Sequence, residues 1–282
     1  MNPIDYFTTL VHLQDDNDSI PLTEAALSIA QDVYPKLDLG AVQSELDRLA
    51  AVLKGRLPAD APAVQRLRAL NRYFFRELGF SGNRNDYYDP DNSYLNRVLE
   101  RRRGIPISLA VLYMELGQQI GLPLRGISFP GHFLVKLKVR AGDIFLDPYS
   151  GQSLSREQLE ERLAQFFDAR GLDVPTDLAL IPSIQEASSR DILMRMLRNL
   201  KSVYHDRKDF DRLLDVQNRL VVLLPDVSTE RRDRGLIYAQ LECPRAALED
   251  LDFYLTEAPD AAEAPEIRET ISVLRNALNR LN

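Results

Sequence analysis

Residues 200–260 repeat themselves. Pro225-Asp226 recurs as Pro259-Asp260 at an offset of 34 residues, and Tyr204 recurs as Tyr238 and Leu214 as Leu248 at the same offset. A fixed period of that length means one helix–turn–helix unit per repeat, and such a unit buries its apolar face only when a neighbour stacks on it. The second copy places small residues at Gly235 and Ala247, large ones at Tyr238 and Leu251, and closes on Pro259. The first copy is degenerate, with Lys201 at the glycine position and Leu213 at the alanine position. Two copies and a final helix at 264–281 fall short of the three or more that an isolated array needs. The segment is therefore expected to pack on the N-terminal part of the chain.

The first hundred residues also carry helical spacing. It recurs at Leu22, Ala25, Ala26 and Ile29, at Val42, Leu46, Leu49 and Leu53, and from Val64 through Phe74 to Leu78, with a stop at Gly79. A polar, turn-forming stretch covers 81–93. Asp91 or Asn92 is the expected cap of a helix running through Arg102 and ended by Gly104. Pro106 then opens another helix at a natural first-turn position, running through Met114 and Leu116 to Gly121. After that the period changes. Phe133, Val135, Leu137 and Val139 alternate with Leu134, Lys136, Lys138 and Arg140, which is strand spacing. Gly142-Asp143 is the turn of a hairpin and Ile144-Phe145-Leu146 its second strand, ended by Asp147-Pro148. Helical signals return over 155–169, and residues 171–187 read as an irregular boundary.

Charge and cysteine usage narrow the classes. The net charge of −7 over 282 residues argues against nucleic-acid binding, which needs a basic surface. The single cysteine, Cys243, excludes an intrachain disulfide and a cysteine-rich zinc site, and it fits a reducing compartment. No apolar run reaches the roughly 20 residues of a membrane helix. The N-terminus lacks a basic start and apolar core, so a cytoplasmic protein is expected. No dinucleotide fingerprint, P-loop or metal-ligand cluster is visible, so no cofactor and no metal are expected. Arg97 and Arg101-Arg102-Arg103 sit where cations favour a helix C-terminus, which is preferred over an anion site. Asp86-Tyr87-Tyr88-Asp89-Pro90-Asp91 lacks the Gly and Glu of a calcium loop and is read as packed near His132, with its tyrosines half-buried. The acidic C-terminal positions, such as Glu249, Asp250 and Asp252, read as a solvated face.

Three segments carry chemistry-bearing residues in a suggestive order. Gly104-Ile105-Pro106-Ile107-Ser108 opens a helix, Gly131-His132-Phe133 enters a strand, and Asp147-Pro148 leaves the next one. A helix start, a histidine and an aspartate are the layout of a nucleophile, its base and the orienting carboxylate. The order resembles the transglutaminase-like (papain-type) superfamily. Its pattern has Gly-x-Cys-x-x-x-Ala on a helix, then Gly-Ile-Pro-x-Arg, then a strand histidine, then Asp-Pro. Here Gly104, Ala110, Gly121-Leu122-Pro123-Leu124-Arg125, His132 and Asp147-Pro148 stand in register. Asn92-Ser93-Tyr94-Leu95, Arg103-Gly104-Ile105-Pro106-Ile107-Ser108-Leu109 and Phe129-Pro130-Gly131-His132-Phe133 resemble the SirB-one family more specifically. In that family this core precedes tetratricopeptide-like helices, and the resemblance covers nearly the whole chain. The closing 34-residue period is itself the tetratricopeptide signature, without its usual Trp.

The resemblance implies an α+β fold: a helical, transglutaminase-like domain with a small antiparallel sheet over residues 1–180, then an all-α tetratricopeptide-like segment over 188–282. Counting four back from Ala110, the superfamily's cysteine position holds Pro106, which has no nucleophile. Ser108 lies two residues on, a rotation of about 200° around the helix. The favoured expectation is thus a non-catalytic protein that binds a protein or peptide partner through the cleft near His132 and Asp147, the repeat segment, or both. The alternative is a hydrolase or acyltransferase using Ser108, His132 and Asp147. A purely structural subunit is a third reading, in which side chains fill the cleft.

Overall fold

In the computed structural model of the chain, residues 2–12, 17, 19–172 and 185–281 are described. They form two compact units, one of residues 14–196 and one that joins residues 1–13 to 197–282. Most of the irregular stretch expected at 171–187 lies outside the described residues.

The larger unit is built around a helix that is apolar on every side. This helix, α6 (Pro106–Gln119), buries Ile107, Leu109, Ala110, Val111, Leu112 and Tyr113, and only a helix covered on all faces carries such a pattern. Around it pack α2 (Leu22–Ile29), α3 (Leu39–Lys54), α4 (Ala63–Asn71) and α5 (Leu95–Arg101). Asp38 caps α3, its carboxylate accepting the Ala41 N–H at 3.1 Å. The helical spacing continues past α4 as a wider π-turn over Arg72–Glu77, so Phe74 still reaches the core and stacks on Phe80 with ring centres 4.1 Å apart.

The boundaries of α5 differ from the sequence expectation. Asp91 and Asn92 cap no helix; they lie in a short turn, Pro90–Asn92, that Asp89 caps. The N-cap of α5 is Tyr94, and its C-cap is Arg102 in the left-handed region at φ 58°, where the sequence suggested Gly104. Gly104 instead belongs to β2 (Arg103–Gly104), which pairs in parallel with β1 (Ser81–Gly82). Glycine's tolerance of positive φ makes it the default helix end, but the guanidinium of Arg102 lies 4.6 Å over the Phe80 ring, a contact that favours Arg there.

The sheet is an antiparallel meander in the order β3 (Leu124–Ile127), β4 (Leu134–Val139), β5 (Gly142–Asp147), β6 (Gln152–Leu154). The hairpin of β4 and β5 is in the expected place, with Val135 opposite Leu146 and Val139 opposite Gly142. The flanking strands escaped the sequence reading because they are short and not alternating. Helix α7 (Arg156–Asp168) covers one face, where Ile127, Phe129, Leu134, Leu154, Leu159 and Leu163 make one cluster. Ser155 and Gln158 form a capping box at its start.

The smaller unit holds the repeats. Helix α8 (Ser189–Arg207) enters it, followed by α9 (Phe210–Leu223), α10 (Ser228–Gln240), α11 (Pro244–Glu257) and α12 (Ala264–Leu281). At Gly235 an added Cβ would lie 2.8 Å from Leu251, so the glycine is what lets α10 and α11 cross closely. In the degenerate first copy Lys201 occupies that position and its ammonium reaches across to Asp233 at 2.6 Å and Glu230 at 3.4 Å. The array gains a further helix from the far end of the sequence. Helix α1 (Pro3–His12) packs on α9, and the fully buried Arg219 sits 5.0 Å over the ring of Phe7. Sequence reading found no helix there.

Substituting Gly235→Val is expected to destabilise the chain by about 1–3 kcal/mol through overpacking against Leu251, more than a valine's modest helix preference over glycine returns. A urea unfolding midpoint unchanged from wild type would contradict that crossing.

Candidate functional site

His132 and Asp147 meet. The His132 Nε2 lies 2.8 Å from the Asp147 Oδ1, although 15 residues separate them. Three local features bring this about. Gly131, at φ +69°, turns the chain so that the histidine enters β4 from a tight loop, and its missing Cβ leaves room for the Phe166 ring. The His132 N–H donates to the Phe129 carbonyl at 3.0 Å, closing that turn. The same carbonyl accepts both Nη groups of Arg195 at 3.3 Å, and the guanidinium lies 5.7 Å over the Phe133 ring. Burial lowers the pKa of Arg195 from its ordinary value.

Asp147 ends β5 and is 3% exposed. Its Oδ1 accepts from His132 and from the Tyr149 N–H at 2.9 Å. Its Oδ2 accepts from the Ser150 hydroxyl at 2.9 Å and from both Nη groups of Arg162 on α7 at 3.3 Å. Burial pushes the carboxyl upward, but the hydrogen bond and charge of His132, with the Tyr149 N–H and Ser150 hydroxyl, outweigh it and hold the group well below the usual carboxylate range. An ionised carboxylate only accepts, so the ring hydrogen of His132 sits on Nε2. In the neutral ring Nδ1 is then the bare lone pair, and among the described residues nothing hydrogen-bonds to it. Chemically, this is an oriented base.

Ser108 is not part of that pair. It is fully buried. Its hydroxyl donates to the Asn92 carbonyl at 2.6 Å and accepts the Ile105 N–H at 3.1 Å. Ile105, the N-cap of α6, has no side-chain acceptor, so the serine one turn in satisfies the helix start from the other direction. Pro106 is the first residue of α6, buried and without an N–H to leave unpaired.

Asn92, 1% exposed, ties the preceding loop to this helix start. Its amide donates to the Asp86 carbonyl at 2.7 Å and the Tyr87 carbonyl at 3.1 Å, and accepts the Asn83 amide at 3.0 Å. Tyr149 links loop and dyad. Its hydroxyl donates to the Asn83 carbonyl at 3.1 Å, and its ring stands edge-on to His132 at 6.3 Å. Gly82 is required beneath it, since a Cβ there would fall 2.2 Å from the Tyr149 ring. Tyr87 and Tyr88 of the same loop are 44% and 69% exposed. Tyr87 is thus half-buried as expected, while Tyr88 is more open, because the loop's own carbonyls turn inward to Asn92. Arg97 and Arg101 are engaged with Asp91 at 3.0 and 3.1 Å, and Arg101 also with Asp89 at 2.8 Å. These cations staple the loop to α5.

Sequence reasoning did not find Arg162 or Arg195, and it read Asn92 as a helix cap rather than as the tie of this loop. Nothing in their spacing announces them, because their partners are distant in sequence. Tyr149 and Ser150 had a signal: an aspartate followed by proline and a short hydroxyl side chain is a turn in which the carboxylate accepts from residues two and three ahead. Among the described residues no group of three or more His, Cys, Asp and Glu is placed to hold a metal ion, and no helix is long and apolar enough to cross a membrane.

The repeat unit presents a second concave surface, a groove of about 910 Å3 between α8 and α10. Arg198, Lys201 and His205 line one side, Glu230, Asp233 and the half-exposed Leu236 the other. Glu230 is 5% exposed and receives Gln217 at 2.9 Å, Arg198 at 3.3 Å and Lys201 at 3.4 Å.

Comparison with known proteins follows the same division. The family model of the transglutaminase-like superfamily matches residues 40–198, and that of the tetratricopeptide repeat matches 200–272. A UPF0162 protein of Xylella fastidiosa is 41% identical over 262 residues, covering 93% of this chain and 92% of the relative. A UPF0162 protein of Vibrio cholerae is 32% identical over 92% of this chain and 94% of its own length. Protein SirB1 of Salmonella typhimurium is 29% identical over 234 residues, 83% of this chain and 85% of that protein.

The depressed carboxyl of Asp147 has a pH consequence. Its stabilising contribution is in place above the unfolded value of about 4 and is lost as the pH falls toward the lower folded value. Asp147→Asn is expected to lower stability at neutral pH by about 1.5–3 kcal/mol, the worth of hydrogen bonds to a charged group. It is also expected to flatten the acid limb of the stability–pH curve. Urea unfolding from pH 7 to 3 checks both; a variant as steep as wild type would refute the assignment.

Proposed function

Because the chain belongs to the transglutaminase-like superfamily, alongside the SirB1 and UPF0162 proteins, we propose that it is a non-catalytic member that binds a protein or peptide partner in a regulatory or adaptor role. The observation that carries this reading is the start of α6. Where the superfamily pattern has its cysteine stands Pro106, and the nearby hydroxyl of Ser108 is fully engaged with Asn92 and Ile105. The base and its orienting carboxylate remain, and the Ser150 hydroxyl beside them donates to Asp147. A dyad that keeps its geometry without the superfamily's cysteine is suited to recognition.

Two surfaces support a partner. One is the rim of the dyad, where His132 faces the exposed rings of Tyr87 and Tyr88 with Tyr149 between them. The other is the α8–α10 groove of the repeat unit, a fold that generally presents concave binding surfaces. A cytoplasmic setting belongs to the same reading and rests on the single exposed cysteine and the absence, among the described residues, of a membrane-length helix.

The rival reading, hydrolysis or acyl transfer by Ser108, requires its hydroxyl to leave two buried partners and come within about 2.6–3.2 Å of His132. Ammonia release from glutamine-containing peptides, with and without an added amine, separates the two. Wild type, Ser108→Ala and His132→Ala, each checked for folding, are all expected to stay at the buffer rate. Release that both substitutions abolish would make the chain an enzyme with Ser108 as nucleophile. On the binding side, Leu236→Asp in the groove and Tyr88→Ala at the dyad are expected to weaken retention of a partner by the full chain. If neither variant alters what the chain retains, both surfaces are wrong.

A further inference from the structure

A cavity of about 490 Å3 lies within the larger unit, between the start of α2, the side of α6 and the outer edge of β3. Its volume falls in the range of small-molecule sites, about 300–1,000 Å3. No part of the His132–Asp147 site lines it.

Its lining has an unbalanced charge. Glu115, on α6, accepts the Thr23 hydroxyl at 2.6 Å on Oε2 and the Gln119 amide at 2.8 Å on Oε1. Both donors are neutral. Among the described residues no cation stands within ion-pair distance of this carboxylate, although Thr23 beside it is only 8% exposed. A carboxylate drawn part-way out of water normally acquires a cationic partner. Each oxygen of Glu115 retains acceptor capacity, and Glu24 adds a second carboxylate to the lining.

At the rim of the same cavity stands Arg125 of β3, 57% exposed in its side chain. Among the described residues its ion pair is a long one, 3.7 Å to Glu186, whose close partner is Lys136 at 2.6 Å. A guanidinium carries five donors in a planar fork that matches a carboxylate, so Arg125 keeps donors to spare. Beside these charges the lining has polar groups, Gln43 and Gln118 among them, and an apolar part made of Val111 and Met114 from α6, Leu124 from β3 and Ile192 from α8.

An anion lacking a cation, a cation with a loose anion and an apolar wall are the complement of one small chemical class. We propose that this cavity binds a free apolar α-amino acid. The ammonium meets Glu115, the carboxylate meets Arg125, and the side chain lies against Met114, Leu124 and Ile192. The ammonium supplies the charge that Thr23 and Gln119 cannot. The inference does not rest on the absence of catalysis at His132, and it would make the larger unit responsive to a metabolite.

Isothermal calorimetry on the full chain tests it with leucine, methionine, N-acetylleucine, leucinamide and spermidine as probes. Leucine and methionine are expected to bind one to one. N-acetylleucine, which lacks the ammonium, and leucinamide, which lacks the carboxylate, are each expected to bind about tenfold or more weakly, the loss of one charge-assisted contact. Glu115→Gln and Arg125→Ala are expected to lower leucine affinity to a similar degree while melting as wild type does. Arg125 is on an exposed strand edge, so its variant stays informative even if Glu115→Gln unfolds. No heat with leucine or methionine at about 10 mM overturns the proposal. So does an N-acetylleucine or leucinamide affinity equal to that of leucine, leucine binding unchanged in Arg125→Ala, or preferential binding of spermidine.

Discussion

A helix buried on every face must still satisfy the backbone groups at its start, and this constraint organises the larger unit. Helix α6 begins beneath the 83–93 loop, out of reach of solvent. Pro106 removes one N–H from the problem, and the Ser108 hydroxyl answers the Ile105 N–H while donating to Asn92. Asn92 in turn holds the loop through Asp86, Tyr87 and Asn83. A cysteine at position 106 would restore a buried donor and offer the loop nothing in return. Pro106, Ser108 and Asn92 thus make this helix start self-sufficient, and stability alone favours these residues here.

The pairing of His132 with Asp147 has a comparable double character. Asp147 accepts from β4 through His132, from its own turn through Tyr149 and Ser150, and from α7 through Arg162. Removing any one donor leaves the carboxylate more costly to bury, and removing the carboxylate leaves several donors without an acceptor. Such a hub persists for structural reasons whether or not a nucleophile stands beside it. A base that is oriented, ionically supported and partly open is therefore compatible with a purely binding role, and its presence is no measure of catalysis.

Much of this was legible in the sequence because it is local. Apolar spacing located α2, α3, α4 and α6, alternation located β4 and β5, and the 34-residue offset located the repeat helices. Sequence reading failed where the cause lies elsewhere in the chain. Arg102 ends α5 in a left-handed conformation beside Phe80, which no local rule for helix ends foresees. Helix α1 has little pattern of its own and is held by Phe7 and Val11 buried in the repeat unit, with Arg219 over the Phe7 ring. The pair His132 and Asp147 was readable only through a resemblance of order and spacing, whereas Arg162 and Arg195, which fix it from α7 and α8, carry no signal in spacing.

The degenerate first repeat shows how far such a pattern can bend. A glycine at position 201 would permit the close crossing that Gly235 permits in the second copy. Lys201 takes another route: its ammonium reaches Asp233 and the nearly buried Glu230 on α10. Gln217 from α9 closes on the same carboxylate. This charge network lines the groove beside Leu236. The position that looks like decay of the repeat is therefore one that gives its concave surface a charged side, because a side chain without close apolar neighbours is free to take polar partners.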